Sequence, residues 1–393
     1  MKPLSKIFLF ILLLLLIGCG SSTPDKLNVE EPIILGFDEN QKSYLYNLFK
    51  TEYLWSDTVA DDVNYSQYTT AQEMIDALKD TKDRWSFAQT LDDYVNMQQQ
   101  QSLDFGCMYA SYTIKNIRIG SPCDLIGLQR GDVMIKVNGN EANSQNYSQA
   151  QANEGVESTL TIERNGTQLE VNITPMTYTY KVVKTKIITK DDESKIGYMS
   201  YDAFTSASQS EIDNAFTYFK ANGIDELVLD LRYNGGGSLT LASILLDKIA
   251  GQHHENDVQF YSKWNEAYQS KNGYYYFEED NNSIEIKRVF CLTTEATASA
   301  SEVVINALKP YVDVRLIGEK THGKPTGMQG KQKDNMVYWL INFSLYNAND
   351  EGDFYTGLEV DCQANDNLNF ERDNVHEDML ATALHYSQYG VCE

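Results

Sequence analysis

The sequence predicts a multidomain α/β chain, and three observations carry that reading. Residues 37–101 place apolar side chains at helical spacing. Residues 103–177 break into short alternating strands separated by Gly-Asp and Asn-Gly turns. From residue 178 to 393 strands and helices alternate, the pattern of a mainly parallel sheet with right-handed crossovers.

The chain opens MKPLSK, continues in an apolar run from Ile7 to Ile17, and then reads Gly18-Cys19-Gly20-Ser21-Ser22. A membrane-crossing helix needs about 20 apolar residues. This shorter run with a basic start reads as an export signal. The motif LIGC, Leu16 to Cys19, resembles the lipobox of bacterial lipoproteins. That resemblance implies a signal peptide over residues 1–18, lipidation of Cys19, and a polar tether over residues 19–36. The mature chain is then an exported bacterial lipoprotein, held to a membrane by lipid on its periplasmic or cell-surface side.

Lys and Arg number 32 against 56 Asp and Glu. There is no basic footprint for nucleic acid. With Cys19 acylated, five cysteines remain, at 107, 123, 291, 362 and 392, in a compartment that permits disulfides. The odd count leaves at least one unpaired. Cys362 with Cys392 is the preferred pair, since it pins the C-terminal tail. Cys107 with Cys123 is open as a pair across a hairpin, and Cys291 reads as a buried strand residue.

In the helical region, QKSYLYNLFKTEYLW carries apolar residues at helical spacing, and Thr70 caps TAQEMIDALKD with Glu73 answering it. Tyr53, Trp55, Trp85 and Phe87 read as a small core. The region's expected role is docking or scaffolding. The next stretch resembles a PDZ domain, on Gly120-Ser121-Pro122, Gly127-Leu128, Arg130-Gly131-Asp132-Val133 and Val137-Asn138-Gly139. Such domains bind extended peptide tails at a sheet edge and capture the terminal carboxylate on backbone amides. The corresponding loop is Phe105-Gly106-Cys107-Met108, which departs from the usual small-apolar-small pattern.

In the third region, strands are expected at Ile196–Ser200, Leu227–Leu231, Val289–Thr293 and Val314–Ile317, with a helix ending at Gly223 and another running to Ile249. Two loops lie between strand and helix: LDLRYNGGGS (229–238) and TTEATASASE (293–302). Successive glycines let backbone amides face an oxyanion. A serine opening a helix lies beside amides that stabilise developing charge, and it needs a base to take its proton. Five histidines, His253, His254, His322, His376 and His385, stand in no triad motif, and Lys324 is the other option. A lysine serves as base near neutral pH when desolvation or positive neighbours lower its pKa. The loop GEKTHGKPTG (318–327) mimics a phosphate loop, but Pro325 stands where that motif needs Ser or Thr. No metal-ligand spacing appears.

LRYNGGG, TASASEVV and IGEKTHGKPTG together resemble the carboxyl-terminal processing, or tail-specific, serine peptidases, over roughly residues 103–345. The resemblance implies a serine endopeptidase with a crotonase or Clp-protease-like sheet and no cofactor. Its substrates are proteins or peptides with accessible C-terminal tails. It implies Ser299 as nucleophile, Lys324 as general base, and the amides of Gly236 and Ala300 as oxyanion donors. Gly235 and Thr297 replace the family's proline and first serine, and Pro325 replaces a glycine. The glutamine that orients the family's lysine falls on Met328; Gln329, one place later, or His322 is then the third member. The other serines and charges read as structural: Ser238 as an N-cap, Ser301 as cap or packing, Asp230 with Arg232 as holding the turn, and Glu302 as a partner in the first helical turn. A catalytically impaired peptide-binding lipoprotein of the same architecture is the alternative.

Overall fold

The structure, a computed structural model, describes residues 37–284 and 286–392. The signal peptide, the tether and Cys19 lie outside the described residues.

The N-terminal region opens with helix Glu39–Thr51, where Asp38 and Gln41 exchange side-chain bonds with each other's amides. Thr70 and Glu73 do the same at helix Ala71–Leu78, so that predicted cap is present. The region is not helical throughout. Phe87–Thr90 is a strand, and it pairs antiparallel with the long strand Met336–Asn347. Helical spacing over so short a stretch does not exclude a strand whose partner lies far along the chain.

Between residues 101 and 179 short strands form a β-rich domain around Phe105, Ile114, Leu160, Ile162 and Tyr147. Its main sheet begins at the edge strand Cys107–Ala110. Cys107 is disulfide-bonded to Cys123.

A six-stranded sheet forms the frame of the third region. Lys195–Tyr201, Glu226–Asp230, Arg288–Thr293, Asp313–Gly318 and Cys362–Gln363 run parallel, and Val183–Thr189 joins antiparallel at one edge. Leu227, Val228, Leu229, Val289, Phe290, Cys291 and Leu292 are fully buried, as expected for parallel strands covered on both faces. Helix Gln209–Asn222 ends at Gly223 in the left-handed conformation. Cys362 is bonded to Cys392, which ties the end of helix Asp378–Tyr389 back to this sheet, and Cys291 is a buried free thiol.

A second, antiparallel sheet is built on Met336–Asn347, which pairs with Thr326–Lys333, Phe87–Thr90 and Val258–Trp264. Helix Ala300–Leu308 is buried at every position. Its Val303, Val304 and Leu308 share one core with Leu229 and Cys291 of the parallel sheet and with Phe343 and Leu345 of the antiparallel one. A helix buried on every face needs cover on every side, and two sheets contribute that cover here.

Candidate active site

The glycine turn follows strand Glu226–Asp230, and the Ser299 turn follows its neighbour Arg288–Thr293, so both leave the same end of adjacent parallel strands. Side chains of the Ser299 turn bind the glycine turn's backbone. Thr297 Oγ1 donates to Leu231 O at 2.9 Å, Ser301 Oγ to Asn234 O at 3.0 Å, and Thr294 Oγ1 to Arg232 O. The Ala298 amide donates to Asn234 O at 3.1 Å. Below the turn, Arg232 is fully buried and spans three carboxylates: Asp230 at 3.0 Å, Asp366 at 2.8 Å and Glu377 at 3.0 Å. Burial alone would push the Asp230 carboxyl up, but Arg232 and Arg372 hold it well below the usual carboxylate range. The turn therefore sits on a network of buried ion pairs.

Ser299 has φ 60° and ψ −121°, a conformation that L residues rarely adopt. Such strain costs of order 1–3 kcal/mol and persists only where the surroundings over-determine it. Gly236, at φ 100°, lies directly against it. A Cβ there would meet Ser299 Cβ at 2.7 Å and the Ala300 amide nitrogen at 2.9 Å. Ala300 is the first residue of its helix, so no helical carbonyl precedes its amide to accept from it.

The base loop joins strand Asp313–Gly318 to strand Thr326–Lys333. Its His322 amide donates to Thr297 O at 3.0 Å. Its Gly323, at φ +86°, packs on the backbone of Tyr355 and Gly357 so closely that a Cβ would lie 2.5 Å from the Gly357 nitrogen. Burial pushes the Lys324 amine down to about 8, against the carboxylates of Asp83 and Glu302, which favour its charged form. The amine lies 3.8 Å from Met328 Sδ.

One buried carboxylate joins the two halves. Glu302 Oε2 accepts from the Ser299 amide at 2.9 Å and from the Lys324 amide at 2.8 Å. Its Oε1 accepts from the Gly323 amide and from Thr321 Oγ1, each at 2.6 Å. A strained serine at a helix start and the loop of a desolvated lysine are thus braced through a single side chain, with the glycine turn packed against the serine. This set of groups is suited to acyl transfer.

Residues 195–362 match peptidase family S41, and residues 40–87 match the peptidase S41 N-terminal domain. The chain belongs to peptidase family S41. Curated relatives described as CtpA-like serine proteases include one from Staphylococcus aureus, 29% identical over 265 residues, which are 63% of this chain and 50% of the relative. Another, from Staphylococcus epidermidis, is 27% identical over 307 residues, 74% of this chain and 59% of the relative. The chain thus spans about half the length of the first of these relatives. A solved protein of Bacteroides fragilis, described as an S41 protease, superposes with a TM-score of 0.76 at 24% identity, over 89% of this chain and 98% of that one. The photosystem II D1 C-terminal processing protease superposes with a TM-score of 0.52 at 16% identity, over 82% and 92%. At those identities the likeness is one of fold.

Within this S41 chain Ser299, Lys324, Gly236 and Ala300 come together. Two expectations need correction. Gln329 is exposed while Met328 is half-buried, because successive residues of a strand face opposite ways. Met328, not Gln329, therefore lies against the lysine amine. His322 is exposed and its ring lies beside Trp85. The Gly236 amide, in turn, already donates to Asn234 Oδ1 at 2.8 Å. In the β-rich domain, Met108 is exposed, Cys107 is held in its disulfide, and Gly106 is tucked against Ser121. Ser238 caps helix Leu239–His254 as expected. Glu302 did read as a first-turn partner, but its bonds to the base loop were not legible, because they cross 21 and 22 residues with no local pattern.

Proposed function

We propose that this S41 chain is an exported, lipid-anchored serine endopeptidase in which Ser299 attacks the peptide bond and Lys324 serves as base and then acid. The observation that carries this reading is the Glu302 carboxylate, which accepts from the amides of both Ser299 and Lys324. A lysine amine lowered to about 8 has a usable fraction of free base near neutral pH.

In the first step Lys324 takes the Ser299 proton as Oγ bonds to the substrate carbonyl carbon. The oxyanion so formed accepts from the Ala300 amide. Gly236 joins it when its N–H exchanges Asn234 Oδ1 for the substrate oxygen. The C–N bond then breaks as the Lys324 ammonium protonates the leaving nitrogen. In the second half Lys324 takes a proton from water, whose oxygen attacks the acyl ester. The ester C–O bond breaks and the proton passes to Ser299, restoring both groups.

The β-rich domain acts in this reading as a PDZ module that binds or gates C-terminal tails of protein substrates. The edge strand Cys107–Ala110 supports it, since an edge strand offers unpaired backbone groups for strand addition. Anchoring is assigned to Cys19 on the lipobox alone; among the described residues no helix is long and apolar enough to cross a membrane.

The second reading, a peptide-binding lipoprotein with impaired turnover, is favoured by the thioether of Met328 beside the base and by the engaged Gly236 amide. Incubating the protein and Ser299→Ala with an unfolded protein substrate, and reading products by mass spectrometry, separates the two. Fragments that form with wild type alone support the peptidase. A lack of fragments, together with no Ser299 labelling by a fluorophosphonate, supports the binding protein.

A further inference from the structure

The N-terminal region delivers one loop to the base. Leu45, Phe49, Tyr53, Met74 and Ile75 share a core with Tyr338, Leu340 and Ile341 of the long strand, and Met328 packs at its margin. From that core the chain turns through Asp83, which is 2% exposed. Asp83 accepts from Tyr53 Oη at 2.8 Å and from the amides of Trp85 and Ser86 at 2.9 Å. Ser86 Oγ accepts in turn from the Ile341 amide at 3.1 Å. The loop is therefore held at both ends, and Arg84 projects from it with a defined direction.

Arg84 Nη2 donates to three carbonyls: His322 O at 3.4 Å, Gly323 O at 3.2 Å and Tyr355 O at 3.1 Å. The first two belong to the two consecutive peptide groups that lead into Lys324. The N–H ends of those same two groups, on Gly323 and Lys324, are the ones bound by Glu302. Each of the two planes is thus gripped at its N–H by a carboxylate and at its C=O by a guanidinium. A peptide group held at one end can still turn about that contact; held at both, it cannot. The third carbonyl, Tyr355 O, belongs to the segment on which Gly323 packs, so the same nitrogen also closes that seam.

We propose that Arg84 is a positioning residue for Lys324, and that this is the contribution of the N-terminal region to the site. The inference rests on the Ser–Lys reading above. The charged and titratable groups around the base loop are Glu302 on the nucleophile helix, Lys82, Asp83 and Arg84 on the N-terminal loop, Glu319, Lys320 and His322 within the loop, Glu359 paired with Lys320 at 2.6 Å, and Asp353 and Tyr355 on the segment below it. Losing Arg84 removes a cation and loosens the loop toward water, and both changes favour the protonated lysine.

The test compares wild type with Arg84→Met and Arg84→Lys by peptide hydrolysis against pH. In parallel, competitive acetylation of Lys324 across pH, read by mass spectrometry, gives the titration midpoint of the amine without requiring turnover. Arg84→Met is expected to lose about tenfold in kcat with KM changed less than about twofold. Its acid limb and the Lys324 midpoint should both move up by about one pH unit, with thermal unfolding little changed. Because one nitrogen makes all three contacts, Arg84→Lys should recover to within about threefold of wild type. An Arg84→Met protein that folds and keeps the wild-type kcat and Lys324 midpoint overturns the inference, as does an Arg84→Lys protein no better than Arg84→Met. If wild type cleaves nothing, the peptidase reading fails by itself, while the acetylation midpoint still decides whether Arg84 sets the environment of the lysine.

Discussion

Replacing Glu302 by glutamine tests whether one carboxylate holds both halves of the site. The four donors divide evenly, Thr321 Oγ1 and Gly323 N on Oε1, and Ser299 N and Lys324 N on Oε2. Glutamine has a single acceptor oxygen, so in either orientation two of those donors face an NH2 group. A hydrogen bond to a buried charged acceptor contributes about 1.5–3 kcal/mol, and two of them about 3–6 kcal/mol of local organisation. At 1.36 kcal/mol per tenfold, the lower end of that range is a fall of about 10²-fold in kcat. The pH dependence has a definite sign. Glu302 favours the charged lysine, so removing its charge lowers the Lys324 pKa below about 8, and the acid limb of kcat should move to lower pH. The assay is hydrolysis of a fluorogenic peptide from pH 5 to 10, with circular dichroism to verify the fold. A folded Glu302→Gln enzyme with kcat within about threefold of wild type refutes the reasoning, and an acid limb displaced to higher pH refutes its electrostatic part.

Other expectations follow from single contacts. Gly236→Ala places a methyl carbon 2.7 Å from Ser299 Cβ at a φ of 100°, so fluorophosphonate labelling of Ser299 should slow by about 10²-fold or more while the chain stays folded. Lys324→Met should abolish hydrolysis yet raise the unfolding temperature at pH 7. The lysine is held at about 8 in the folded chain against 10.5 in the unfolded one, so its penalty is fully present below about 8 and fades as pH rises toward 10.5. Calorimetry should show the gain of the variant shrinking over that window. Cys392→Ser opens a bridge closing a separation of 30 residues, for which the chain-entropy account gives about 3–4 kcal/mol. Denaturant unfolding should show reduced stability, and limited proteolysis should attack helix Asp378–Tyr389 first.

The elements that carry the site were legible because their causes are local. Strand, turn and helix follow one another within about ten residues at LDLRYNGGGS and TTEATASASE, and the Thr70 cap needs only its Glu73 partner. The antiparallel sheet built on Met336–Asn347 was not legible. Its pairings with Phe87–Thr90 and Val258–Trp264 join segments far apart in the chain, and nothing in either segment names its partner. The third member of the base assembly was misplaced for a related reason. The family spacing falls on Met328, and Gln329, one place later, is the nearest glutamine, but strand alternation turns it outward and sets Met328 beside the amine.

By itself the sequence determined which groups this chain has for chemistry and their order: a glycine turn, a serine that opens a helix, and a lysine at the tip of a loop. Those are properties of short segments, set by side-chain type and backbone freedom. Only the tertiary structure decided how they are held. It brought Glu302 under both Ser299 and Lys324, gave the Gly236 amide to Asn234, and laid Arg84 on carbonyls 238 and 239 residues away in the chain. The physical reason is that burial and peptide-plane orientation depend on what packs around a loop, and that is fixed by the meeting of distant segments.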